Sequence, residues 1–274
     1  MGYTVGIDIG GSTTKIVGLR EGKLLSGLMV RAGDPITSAY GAFGKFLSTN
    51  GLTLENVDRV MYTGVGPSFM QDGIFGIETQ KVDEFISIGL GGRYISGCGD
   101  AVVVSMGTGT AMVSVRGDDI HHVGGTGIGG GTLLGLCRKL IGSQNIEHIV
   151  ELAEQGDLGK IDLFIGDITN TKLSNMDLQT TASNFGKIDD AARPEDFAVG
   201  VLNMVFQAVG TFSGMAAKAC GTKNVILTGN LSRISMMRPL LDMLELLYDV
   251  KYIIPDNSDF ATAIGAAVYN ELGR

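Results

Sequence analysis

The sequence predicts an α/β protein made of two halves, each a mixed sheet flanked by helices. Three observations carry that reading: a β-meander with a glycine-rich first hairpin at the N-terminus, a second meander of the same plan about 97 residues later, and helices following strands behind each of them. A chain of 274 residues holds either two modest domains or one large α/β unit. The repeat favours two, divided as 1–97 and 98–274.

Residues 3–9 alternate and carry β-branched side chains, the pattern of a strand, and DIGGSTT closes it with a tight turn. Residues 15–19 resume an apolar strand, Glu21-Gly22-Lys23 turns again, and residues 24–30 give a third strand. Ile36, Tyr40, Phe43, Phe46 and Leu47 then recur at helical spacing up to the stop signal Asn50-Gly51. A strand over 57–63, a loop over 64–67 and a helix over 80–90 complete the first half. Glu84 falls in the first turn of that helix, off its apolar face.

The second meander starts at residue 101. Sliding the sequence by 97 residues lays Gly10 on Gly107 and the Glu21-Gly22 turn on Asp118-Asp119. Common hairpin chemistry can also produce such a likeness. GGTGIGGG leads into a helix over 132–141, and another covers 146–155. Residues 169–191 are polar and poorly periodic. A long helix over 198–220 stops at Gly221, a strand over 225–228 runs into Gly229-Asn230, and a helix over 236–248, a strand over 251–254 and a last helix over 260–272 follow.

Composition narrows the function. The 42 glycines are about twice the usual share, yet only 5 prolines accompany them and no short period exists, so collagen-like and low-complexity readings fail. Tight turns and close approach of backbone to a ligand explain them better. A net charge of −8 argues against nucleic-acid and anionic-membrane partners. Cys98, Cys137 and Cys220 lie far apart without ligand spacing, which reads as buried free thiols. The N-terminus lacks a basic and apolar leader, position 6 is Gly6 where myristoylation prefers Ser or Thr, and no run approaches the ~18 apolar residues of a spanning helix. The expectation is a cytoplasmic protein.

Glycine-rich junctions occur at 8–15, 105–110 and 124–132, with a smaller turn at 228–230. Amides exposed in such turns, and at the start of a following helix, can face phosphate oxygens. None heads a βαβ unit with an acid about 20 positions on, and no GxxxxGK[ST] is present, so neither the dinucleotide fingerprint nor the P-loop applies. Asp8 ends the first strand and Lys15 follows beyond Ser12, Thr13 and Thr14. A carboxylate there can hold Mg²⁺ through its waters while the hydroxyls and the ammonium meet a phosphate tail. As bare residues they read equally as a turn former and a surface charge.

DIGGSTTK, SMGTGT, VGGTGIGGGT, ASNFG and TGN together resemble the sugar-kinase, heat-shock-protein and actin superfamily, and within it the type II pantothenate kinases. VDEF at 82–85, GGTGIGGGTLLGL at 124–136, AEQGD at 153–157 and ASNFG at 182–186 resemble the blocks of that family in particular. The resemblance spans nearly the whole chain. It implies two actin-like (ribonuclease-H-like) domains with ATP and Mg²⁺ between them, and a homodimer. It further implies phosphorylation of pantothenate as the first step of coenzyme A biosynthesis. By the same resemblance Gly10, Gly11, Ser12, Thr13 and Lys15 form the first phosphate loop, Asp8 serves the metal, and Thr108 lies in the second loop. Gly130, Gly131 and Thr132 meet the nucleotide, Asn230 lies near its adenosine end, and Glu84 is the catalytic base.

Two positions depart from the family pattern. His122 stands where an arginine usually precedes V-[GT]-G and grips the acceptor's carboxylate, and Ala111 replaces a serine. An imidazole is a weaker carboxylate partner than a bidentate guanidinium. His122 with Glu84 and Thr108 remains the acceptor site that the resemblance implies, with Arg93 or Arg116 as alternative sources of a cation. A kinase for another small alcohol, such as a pantothenate-like amide or an amino sugar, is the nearest rival. An ATP-driven dehydratase activator and a non-catalytic nucleotide-binding regulator are the others.

Overall fold

In the computed structural model, which describes residues 2–31, 33–64, 73–171 and 177–272, the chain opens with β1 (Tyr3–Ile9), β2 (Thr13–Arg20) and β3 (Lys23–Arg31). Each pairs antiparallel with the next. The helix α1 (Pro35–Thr49) starts where the Asp34 carboxylate accepts the Thr37 amide at 2.8 Å, with proline at a position that needs no donor. Its Ala39, Ala42, Phe43, Phe46 and Leu47 are buried against the sheet with Ile7 and Ile16. β4 (Val57–Gly64), β5 (Thr79–Lys81) and α2 (Glu84–Ser96) follow. The sheet order is β3-β2-β1-β4-β5, with β4 parallel to β1. Of the loop expected at 64–67, residues 65–67 lie outside the described residues.

The helix expected over 80–90 begins later than its sequence suggests. Residues 79–81 pair in parallel with β4, and Asp83 accepts the amides of Phe85 and Ile86. An aspartate side chain at that position sets the first helical residue at Glu84.

The second half repeats the plan: β6 (Asp100–Met106), β7 (Thr110–Arg116) and β8 (Asp119–Thr126). Next come α3 (Gly130–Ile141), α4 (Ile146–Ala153), β9 (Leu163–Phe164), α5 (Ile165–Ile168), β10 (Thr181–Ser183) and α6 (Pro194–Cys220). β11 (Asn224–Thr228), α7 (Arg238–Tyr248), β12 (Lys251–Ile253) and α8 (Ala261–Glu271) complete the chain. The order β12-β11-β6-β7-β8 mirrors the first sheet strand for strand.

The polar segment 169–191, of which 172–176 lie outside the described residues, belongs to an excursion pinned to α6. Its anchor is the fully buried Asp162, which accepts the Thr181 hydroxyl at 3.0 Å, the Phe185 amide at 2.9 Å and the Asn203 side-chain amide at 2.8 Å. A polar centre leaves no apolar periodicity to read. Contrary to the expectation that no run approaches a spanning helix, α6 is by length and composition long and apolar enough to cross a membrane. Its Val201, Leu202, Val205, Phe206 and Val209 are instead buried in the core of the second half. Of the three cysteines, Cys137 alone is buried, while Cys98 and Cys220 are partly exposed.

The halves are joined by an exchange of helices. Ile88 of α2 packs with Val103, Val113 and Val115 of the second sheet. Ile264 and Ala267 of α8, from the far end of the chain, pack with Val17 and Leu19 of the first. The two helices touch backbone to backbone. A Cβ on Gly91 would lie 1.8 Å from the Ala261 carbonyl oxygen, and one on Gly265 equally close, 1.8 Å, to that of Ser87.

Candidate active site

The C-terminal ends of β1 and β6 face each other across a cavity of about 480 Å³. Asp8, Gly10, Gly11, Ser12, Thr13 and Lys15 line it from the first half together with Gly64 and Glu84. Ser105, Gly107, Thr108, Gly109, Thr110, Ala111, Thr126, Gly229 and Asn230 line it from the second, and Thr262 from α8.

Each charged group has a traceable origin. Asp8 and Lys15 are cross-strand partners in the antiparallel β1–β2 pair, so their side chains leave the same face of the sheet. The turn between them is closed by the Gly10 amide donating to the Thr13 carbonyl at 3.1 Å. Glu84, exposed at the first position of α2, lines the cavity from the helix end that Asp83 caps. Gly64 and Gly229 end the two strands that flank β1 and β6. Their φ angles are +91° and +88°, and a Cβ on either would sit 2.5 Å from a carbonyl oxygen, Ile9 in one half and Met106 in the other.

The electrostatics follow from burial. Removal from water is the main cause that lifts the Asp8 carboxyl to about 6; the Glu84 charge adds to the rise and Lys15 opposes it. Burial likewise lowers the Lys15 ammonium, against the attraction of Asp8 and Asp259. Asp259 was not legible as a site residue. It is 7% exposed, its Oδ2 accepts Arg233 at 3.2 Å, and its Oδ1 has no hydrogen-bond partner among the described residues. Asn230 Oδ1 is also buried and without such a partner. Ser105 and Thr262 were missed because neither residue type stands out inside a strand or helix pattern.

Four residues singled out in the sequence lie outside the cavity lining. Gly130 and Gly131 at the start of α3 donate their amides to the Gly107 and Thr108 carbonyls at 2.9 and 2.8 Å. Thr132 donates its hydroxyl to the Gly127 carbonyl at 3.0 Å. This helix end holds the second turn from behind. His122 is exposed on β8, and its ring stacks on Phe85 with centroids 4.1 Å apart and planes at 24°. Neither arginine considered as a substitute reaches the cavity. Arg93 bonds the Gly117 carbonyl and Asp118, and Arg116 bonds the Cys220 carbonyl, both at the far end of the second sheet.

The family model that matches this chain, Fumble, covers residues 100–250, more than half of it. The chain belongs to the Fumble family. Among curated proteins it is similar to a type II pantothenate kinase of Bacillus cereus (strain ATCC 10987 / NRS 248), 29% identical over 246 residues that cover 84% of this chain and 83% of that one. It is also similar to Pantothenate kinase 2 of Arabidopsis thaliana, 29% identical over 195 residues, 65% of this chain and 21% of that longer protein. Two solved structures share the fold. The activator of the 2-hydroxyisocaproyl-CoA dehydratase from Clostridium difficile, with bound ADPNP, gives a TM-score of 0.68 at 19% identity, covering 97% of this chain and 93% of that one. A ROK family glucokinase from Streptomyces griseus, in complex with glucose and AMPPNP, gives 0.66 at 13% identity, covering 98% and 99%. The expectation of two actin-like halves is borne out. This Fumble chain shares their overall fold, and in it the two five-stranded sheets meet at the paired glycine turns of the cavity.

Proposed function

We propose that this protein is an ATP-dependent kinase that phosphorylates the primary hydroxyl of a pantothenate-type acceptor, pantothenate being the one that the relatives' names supply. The product would be 4'-phosphopantothenate, the first intermediate toward coenzyme A. The observation that carries this reading is the convergence of Asp8, Lys15 and Glu84 with two glycine turns on one cavity.

The first turn and Lys15 take the phosphate tail, and Thr108 approaches it from the second turn. Asn230, whose buried Oδ1 has no hydrogen-bond partner among the described residues, is suited to a donor on the nucleoside. The cavity also fits Mg²⁺, because Asp8 is a carboxylate on its inner wall and a hard cation that keeps most of its waters needs few protein oxygens. When bound, that ion neutralises charge on the phosphates. Glu84, at the rim and open to an acceptor, takes the proton of the attacking hydroxyl. Positioning by the turns does most of the work, since phosphoryl transfer requires little covalent help from the protein.

The dehydratase-activator reading draws support from the fold alone. Its cluster needs cysteines grouped at a subunit interface, whereas Cys98, Cys137 and Cys220 stand far apart in the sequence and Cys137 is buried. We further place the protein in the cytoplasm as a homodimer, for which Phe212 and Met215, 48% and 53% exposed on α6, offer an apolar face. The test is ATP consumption coupled to ADP release with Mg²⁺ and pantothenate. Acceptor-dependent turnover supports the kinase; ATP binding without turnover on any pantothenate-type alcohol overturns it.

A further inference from the structure

We infer that His122 is a positioning residue for Glu84: its ring, stacked on Phe85, holds the first turn of α2 against the second half and so fixes where the carboxylate stands. The inference rests on the kinase reading above, which gives Glu84 its task.

The register of β8 puts the ring there. Thr110, Ala111 and Met112 of β7 face Thr126, Gly125 and Gly124, after which Val113 faces His122, so Val123 is an extra residue in β8. A bulge of this kind re-aims the side chains beyond it to the other face of the sheet. In an unbroken register His122 would face Ser114. With the bulge it shares the face of Val113 and Ile120, on which α2 lies, while Val123 packs on the opposite face against the core that contains α6. Phe85 packs with the cluster of Ile88, Val103, Val113 and Val115, and the imidazole stacks on it with centroids 4.1 Å apart.

Glu84 therefore stands between two anchors that belong to different halves. On one side Val82 donates its amide to the Tyr62 carbonyl at 2.8 Å and is buried with Met61 of β4 and Ala266 of α8. On the other side Phe85 is held by the second sheet and His122. Asp83, between them, is committed to the amides of Phe85 and Ile86. Helix ends fray where little packs on them, and an aromatic stack opposes that with a flat ring and no need of an N–H. Among the described residues Glu84 lines the cavity and neither ring does, so His122 reaches the chemistry through Phe85. Proton acceptance counts in the transition state, so a loosened Glu84 lowers kcat and leaves KM unchanged.

The experiment measures kcat and KM for pantothenate with Mg²⁺ and ATP, ATP affinity by calorimetry, and amide hydrogen exchange across residues 84–88. It uses the full-length protein and its variants His122→Ala, His122→Asn and His122→Phe; His122 is exposed, so these leave the core intact. His122→Ala and His122→Asn should each lose about ten-fold in kcat, with KM and ATP affinity unchanged. Exchange in the first turn of α2 should quicken by about ten-fold in both. His122→Phe, which restores a ring without an N–H, should recover most of each loss. Added to Glu84→Gln, His122→Ala should cost nothing further, because it acts through Glu84. Wild-type kcat in His122→Ala, recovery by Asn in place of Phe, a loss confined to KM, or additive losses in the double variant would overturn the inference and leave the kinase standing. Wild-type protein that binds ATP without turnover on any pantothenate-type alcohol overturns the kinase reading and this inference with it.

Discussion

The two halves share a strand order, a meander and a glycine of positive φ at the same place, yet they divide the chemistry unequally. β1 (Tyr3–Ile9) and β6 (Asp100–Met106) stand 97 residues apart, and the same offset pairs Asp8 with Ser105 and Lys15 with Met112. The first half thus supplies the charged groups that line the cavity, Asp8, Lys15 and Glu84, and the second offers hydroxyls, backbone and the Asn230 side chain. A duplicated scaffold gives two facing turns at no extra design. One pair of facing opposite charges, Asp8 and Lys15, is enough for one phosphate tail, and a second would carry its own desolvation cost. Specialisation of one copy follows from that cost.

The comparison can be broken at equivalent positions. Lys15→Met gives the first half the side chain of its counterpart, and it should lower kcat/KM by about 10²–10³-fold, as loss of one charge-stabilising donor does elsewhere. Ser105→Ala in the second half should cost less than about ten-fold on the same basis. Equal losses in a steady-state assay would show that the halves contribute alike.

A smaller effect concerns the feature they do share. Gly64→Ala and Gly229→Ala each force a Cβ to within 2.5 Å of a carbonyl oxygen at positive φ. Each should lower stability by about 1–3 kcal/mol in urea titrations. If only one of them is damaging, the structural equivalence of the two strand ends fails.

The smallest effect separates Asp8 from Ser105 by pH. Burial raises the Asp8 pKa to about 6 from 3.8, so the fold favours the protonated carboxyl. Linkage then makes stability fall as pH rises from about 4 to about 6, and the penalty is constant above that window. Asp8→Asn should therefore raise Tm relative to wild type at pH 8, with the gain vanishing near pH 4. Ser105→Ala should show no such pH dependence. Turnover of the wild-type protein should decline as pH drops through about 6, because the cation-holding role proposed for Asp8 requires its charge.

Much of this was legible in sequence because it is local. The hairpins announce themselves through Gly/Thr turns between β-branched runs, and α1 through its apolar spacing and the Asn50-Gly51 stop. The turn residues and Asp8, Lys15, Glu84, Thr108 and Asn230 meet in space because each sits at the end of its element. What escaped was tertiary. The exchange of α2 and α8 depends on contacts between residues 91 and 265, which no window of sequence joins. Asp259 acts on Lys15 across an even longer stretch of chain. β5, at 79–81, was hidden by helix-compatible residues, and parallel pairing with β4 overrode their preference. Gly130 and Gly131 look like free phosphate ligands in sequence, and only the structure shows their amides occupied by the second turn.

The central claim is that Glu84 accepts a proton from an alcohol held against ATP, and Glu84→Gln tests it most directly. The variant keeps the shape of the first turn of α2, whose cap is Asp83. Nucleotide affinity by calorimetry and acceptor-dependent ADP release should be measured on the same preparation. The expected result is unchanged ATP binding with turnover reduced by about 10²–10⁴-fold. Full turnover in a folded, ATP-binding variant would contradict the role given to Glu84 and with it this reading of the site.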